Sequence, residues 1–182
     1  MKTLLRVLAA LVGLLVLLVV VLLAIGSRQP VDHVASSRIE LAAAPEEVWA
    51  RLADFEAWPS WNAGFTAVVR EPDRDGKPYW RFEGEYGAMP MTVEVSEPPV
   101  RLVTHIPEDA DLGYSGTWTY ALARREGGGT QVTVTEDGHV ESLLFRALGA
   151  LFMDEHATMN AFLSELADSF GEQVAPEELA GG

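Results

Sequence analysis

The chain has 182 residues, no cysteine and a net charge of −14. Without cysteine it has no disulfide, no thiolate metal site and no cysteine nucleophile. An acidic surface repels nucleic-acid phosphates and anionic headgroups, so nucleic acid is excluded as an expected partner.

Residues 7–25 hold no charge and are nearly all Leu, Val or Ala. As a helix they span about 28 Å, close to the hydrocarbon thickness of a bilayer. Residues 1–27 are therefore expected to be an N-terminal transmembrane anchor, partnered by the membrane. A cleaved signal sequence is the alternative, because Ala24, Ile25 and Gly26 offer small residues for processing. Lys2 and Arg6 flank one end and Arg28 the other. The positive-inside rule then predicts a cytoplasmic amino terminus and a domain on the extracytoplasmic side of the cell membrane.

Residues 28–34 read as a linker and 35–171 as one domain. A first strand is expected at 36–41, where apolar and polar residues alternate. Pro45 suits the first position of a helix, and Glu46 and Glu47 favour its positive end. Val48, Trp49 and Leu52 give that helix one apolar face. Pro59 ends it and biases Trp58 toward extended geometry. Short strands follow at 65–70, 79–86, 89–97, 100–106, 114–125 and 130–140. Gly127, Gly128 and Gly129 make the hairpin turn between the last two. Adjacent antiparallel strands with one polar face imply a sheet with one solvated side.

Residues 143–170 carry a single apolar stripe at the helical period and predict one long helix, with Ser142 as N-cap and Gly171 as C-cap. Gly149 marks a possible bend. Residues 172–182 are expected to be an acidic, flexible tail.

Two stretches carry a family resemblance: "SRIELAAAPEEVWARLADFEAWPSWN" from Ser37 to Asn62, and "FRALGALFMDEHATMNAFLSELADSF" from Phe145 to Phe170. With the order of elements between them, they resemble the START-like (SRPBCC) superfamily, in particular its polyketide cyclase/dehydrase-related branch. The resemblance implies an α+β helix-grip fold: a curved antiparallel sheet wrapped around a long C-terminal helix, with two short helices after the first strand. It also implies a cavity between sheet and helix, with Trp58 and Trp61 near its mouth and Trp49 on the core.

The expected lining of that cavity is apolar with a few polar groups. From the strands it takes Trp80, Phe82, Tyr86, Met89, Met91, Trp118 and Tyr120. From the terminal helix it takes Phe152, Glu155 and Met159. Ordinary core packing is the competing role for each.

Glu155 falls inside the apolar stripe, where an unpaired carboxylate costs several kcal/mol. It is expected to find a partner, to protonate or to face a wet pocket, and it is the first candidate for an acid or base. His105, near the end of its strand, is the second, because Glu108, Asp109 and Asp111 follow it. His33 and His139 fall in or near connecting segments. The four histidines lack metal-ligand spacing, so neither metal nor cofactor is expected.

The function expected is a membrane-anchored binding or transfer module for a hydrophobic small molecule or lipid. The alternatives are a cyclase/dehydrase-type enzyme using Glu155, and a protein-interaction module with a filled cavity.

Overall fold

The computed structural model describes residues 2–84, 87–108, 112–152, 154 and 156–180. Tyr86, Asp109, Asp111 and Glu155 lie outside the described residues.

Helix α1 runs from Lys2 to Gly26 and is long and apolar enough to cross a membrane, with a mean hydropathy of 3.4. Strand β1 (Asp32–Leu41) leads to helix α2 (Pro45–Ala53) and a 3₁₀ turn at Phe55–Ser60. Strands β2 (Phe65–Arg74), β3 (Lys77–Gly84), β4 (Gly87–Glu97), β5 (Arg101–Ile106), β6 (Tyr114–Arg124) and β7 (Thr130–Val140) follow. Helices α3 (Leu143–Phe152) and α4 (Ala157–Asp168) precede a last short strand, β8 (Glu177–Leu179). The strands form one curved, open antiparallel sheet in the order β2-β3-β4-β5-β6-β7-β1-β8.

Alternation sorts the strands into two faces. Ala35, Ser37, Ile39 and Leu41 of β1 are buried, as are Val132 and Val134 of β7. They face α4, whose Met159, Leu163, Leu166 and Ala167 are also buried. The start of α2 is fixed by Glu47, whose carboxylate accepts the Ala44 N–H at 3.0 Å. Pro45 occupies its first turn, where a missing N–H costs nothing.

Three elements depart from the sequence reading. The helix expected at 143–170 is two helices, because Asp154 and His156 are not helical. The Asp154 carboxylate accepts the His156 N–H at 2.9 Å, a local bond that competes with helix continuation. Ser142 does bond the start of α3, its hydroxyl accepting the Phe145 N–H at 3.3 Å. The segment expected as a loose tail contains β8, which pairs with β1 through Ser36–Leu179, Ser37–Glu178 and Arg38–Glu177. Arg38 donates two bonds to the Glu177 carboxylate, at 2.9 and 3.0 Å. Strand β1 begins at Asp32, four residues early, because Asp32 and His33 pair with His139 and Gly138.

That early start is tied by a titratable pair. The exposed His139 imidazole lies 2.6 Å from Asp32 Oδ1, and this hydrogen bond is the main reason it binds its proton above the usual histidine range. A raised folded value stabilises the pairing below the unfolded histidine pKa of about 6.5, and the effect is lost as pH rises through the folded value. Asp32→Asn is expected to return the His139 midpoint toward the unfolded value. An NMR titration of the imidazole checks this; an unmoved midpoint refutes the pair.

Candidate functional site on the concave face

The concave face has two ends of different character. One is sealed by aromatic side chains. The 3₁₀ turn drives Trp58 into this end, where it is 1% exposed and its Nε1–H donates to the Leu52 carbonyl at 3.1 Å. Six rings surround it, from Phe162 at 5.1 Å to Tyr120 at 6.2 Å between centroids. Phe82, Tyr120, Met91 and Met159 are buried in the same cluster. These residues, expected to line a cavity, fill the interior here. Trp58 is therefore a core residue and does not stand at a mouth, because its indole N–H is satisfied by backbone and its faces by other rings.

The other end is half-open. Val93 and Trp118 pack on the core there but remain partly exposed, as do Trp80 and Met89 nearer the sealed end, where Trp80 meets Phe55 at 4.9 Å between centroids and Met89 pairs with Phe82. Trp61 stands with the sealed end: it meets Trp58 at 5.6 Å and Phe162 edge-on at 5.5 Å between centroids, and its buried Nε1 has no hydrogen-bond partner among the described residues. Val93 pairs with Thr104, Thr104 with Trp118, Trp118 with Glu136, and Glu136 with Ala35. One row of side chains thus crosses five strands, with an inward carboxylate between Trp118 and Ala35.

Glu136 is the residue that sequence reasoning missed. Its side chain is 25% exposed, and its Oε1 lies 3.8 Å from Nε2 of His33, itself 31% exposed. His33 reaches this position because β1 starts early. Its ring lies over Gly138, where a Cβ would come within 2.3 Å of Cε1. Gly116 pairs with Gly138 and completes a floor without side chains. A second polar pair adjoins on β1, where the fully buried Ser37 hydroxyl lies 3.1 Å from His156 Nδ1. The signal was present: Thr130, Val132, Val134 and Glu136 alternate, which puts a carboxylate into an inward position of an otherwise apolar strand face.

Tyr120 lies one row deeper. Burial raises its hydroxyl pKa most, a hydrogen bond with Thr104 opposes that, and the Glu136 charge adds to the rise. Tyr120 is thus a neutral hydroxyl at physiological pH, able to share a hydrogen bond but not to act as a base.

Two expected site residues lie elsewhere. His105 alternates with the buried Leu102 and Thr104, so it sits on the outer face. There it meets Glu94 at 3.6 Å. Lys77 also binds Glu94 and is the main cause of its lowered pKa. Phe152 ends α3 with 77% of its surface exposed, because the break before α4 turns α3 away from the sheet. Among the described residues, no group of three or more acidic or histidine side chains is placed to hold a metal ion.

The inward face thus brings a partly exposed indole, a carboxylate, an imidazole and a hydroxyl–imidazole pair to one region of β6, β7 and β1.

Known proteins share this architecture. A START superfamily protein from Mycobacterium smegmatis is 20% identical, with 75% of this chain and 99% of that chain covered and a TM-score of 0.55. The Zhui aromatase/cyclase from Streptomyces sp. R1128 is 14% identical, with 76% and 93% covered and a TM-score of 0.62. Norcoclaurine synthase from Thalictrum flavum is 12% identical, with 82% and 92% covered and a TM-score of 0.59. At these identities the likeness is one of fold. No curated protein matches the chain. The model of the family described as polyketide cyclase / dehydrase and lipid transport matches residues 32–171, from the first residue of β1 to just beyond α4, and the chain belongs to that family.

Proposed function

We propose that the protein is a membrane-anchored binding or transfer module for a hydrophobic small molecule or lipid with one polar end. Helix α1 is the anchor, and the domain lies on the extracytoplasmic side. The observation that carries the reading is the half-open end of the concave face, where the partly exposed Trp118 stands opposite the inward carboxylate of Glu136 in the row that Val93 begins. The ligand body rests among the apolar side chains, and its polar end meets Glu136 and His33.

Val93→Trp tests this. Val93 is at the half-open end, so an added indole occupies ligand space and leaves the Trp58 cluster untouched. Binding of a fluorescent fatty-acid analogue to the detergent-solubilised chain should weaken at least about tenfold, about 1.4 kcal/mol. Unchanged affinity with an unchanged melting temperature would remove the half-open end as the site.

A second reading is favoured by one observation, the proximity of His33 and Glu136 on the ligand side. Such a pair suits proton transfer, with Glu136 as the acid or base in a cyclase/dehydrase-type reaction. Glu136→Gln separates the two readings. Under catalysis it abolishes turnover of an aromatic or polyketide-like substrate, while under binding alone it changes affinity without any turnover to lose.

A further inference from the structure

Helix α3 packs against the end of α1 and touches the sheet only lightly at β7. The join is close: a Cβ on the buried Gly26, at the end of α1, would lie 1.9 Å from the Leu143 carbonyl oxygen. Arg146 strengthens it, donating from Nη1 to the Gln29 carbonyl at 3.0 Å. Tyr114 and Phe145 meet at a tilt, 6.4 Å between centroids, and brace the start of α3 against β6. The position of α3 beside the end of α1 is therefore fixed from both sides.

What α3 presents outward is apolar. Leu144, Phe145, Leu151 and Phe152 are all exposed. At 100° per residue they fall within an arc of about 120°, flanked by the exposed Leu143, and Arg146 is the one charged residue of α3. The sequence of α3 contains no acidic residue, in a chain whose net charge is −14. Helix α1, against whose end α3 packs, carries exposed leucines and valines from Leu4 to Leu23.

From this we infer that α3 lies in the bilayer interface, with Leu144, Phe145, Leu151 and Phe152 dipped into the acyl boundary of a zwitterionic membrane. The inference rests on the anchoring role proposed for α1. A helix held at the end of a membrane span is already at the depth of the interface, so the bilayer is the surface its apolar stripe meets. Only Asp154 and its neighbours separate Phe152 from His156, whose imidazole bonds Ser37 on the concave face. The polar edge of the site thus stands a few residues from the membrane, and a hydrophobic ligand reaches the concavity along α3 without crossing bulk water.

The chain has no cysteine, so single labels are unambiguous. Leu144→Cys, Phe152→Cys, Val12→Cys within α1 and Asp75→Cys in the β2–β3 turn would each carry an environment-sensitive fluorophore. The full chain is reconstituted in phosphatidylcholine vesicles doped with nitroxide lipid. Labels at 144 and 152 should be quenched at least about threefold more than the label at 75, as expected for an interfacial helix. The label at 12 should be quenched as well. If position 12 is quenched while 144 and 152 behave like 75, the inference falls and the anchor stands. If 12 is not quenched, both fall. Self-quenching between labels at 152 without lipid quenching would assign the face to a second copy of the chain and overturn the inference.

Discussion

Replacing Trp58 by alanine is expected to destabilise the domain by about 3–5 kcal/mol, the usual cost of removing a large aromatic side chain from a packed core. For a domain of this size that lowers the melting temperature by roughly 8–16 °C. The effect is large because three losses coincide. The indole is 1% exposed, so its whole apolar surface leaves a dry environment. Six ring contacts vanish, with Phe55, Trp61, Phe65, Phe82, Tyr120 and Phe162. The Leu52 carbonyl at the end of α2 also loses its donor. Those rings come from the 3₁₀ turn, three strands and α4, which cannot all collapse into the void. Thermal denaturation of the solubilised chain measures the change. A fall of less than about 3 °C would show that Trp58 is not the centre of the core.

Gly116→Ala carries the second large effect, by backbone geometry. Gly116 has φ of +145° and pairs with Gly138 across β6 and β7. An added Cβ would lie 2.4 Å from the Asp137 carbonyl oxygen and 3.0 Å from the Gly138 Cα. Both neighbours are backbone, so relief requires the strands to part where Glu136 and His33 are held. A loss of about 2–4 kcal/mol is expected, combining strain with steric displacement. Gly127→Ala is the control: its φ is +92° but nothing lies near its absent Cβ, so only the conformational cost of about 1–2 kcal/mol should remain. Equal losses at 116 and 127, read from denaturant unfolding, would deny the close approach.

Legibility in the sequence followed how local the signal was. Helix α2 was readable from Pro45, two glutamates and three apolar residues at helical spacing. The alternation of Trp118, Tyr120 and Leu122 placed those residues on the inward face correctly, since strand period is a local property. The end of the terminal helix was not readable in the same way. Its apolar stripe runs through residues 143–170, yet α3 and α4 serve different neighbours, one α1 and the other the sheet. A continuous stripe does not say how many partners share it. Phe152 was assigned to the cavity on that basis and belongs to the outward face of α3.

His33 and Glu136 were missed for a related reason. The start of β1 depends on pairing with residues more than a hundred positions away, so His33 read as linker. Glu136 did break an apolar alternation within its own strand, and that local exception was a usable sign. His105 had the right residue type on the wrong parity: one position from Thr104, it faces out to Glu94.

Native mass spectrometry of the full chain, released gently from detergent, addresses the ligand question most directly. A concavity that binds an amphiphile predicts a bound species of several hundred daltons on the wild type, absent from Val93→Trp of equal stability. A wild-type spectrum showing only the bare polypeptide, or an adduct that Val93→Trp retains, would contradict a ligand at the half-open end and favour an interaction module whose interior is filled by its own side chains.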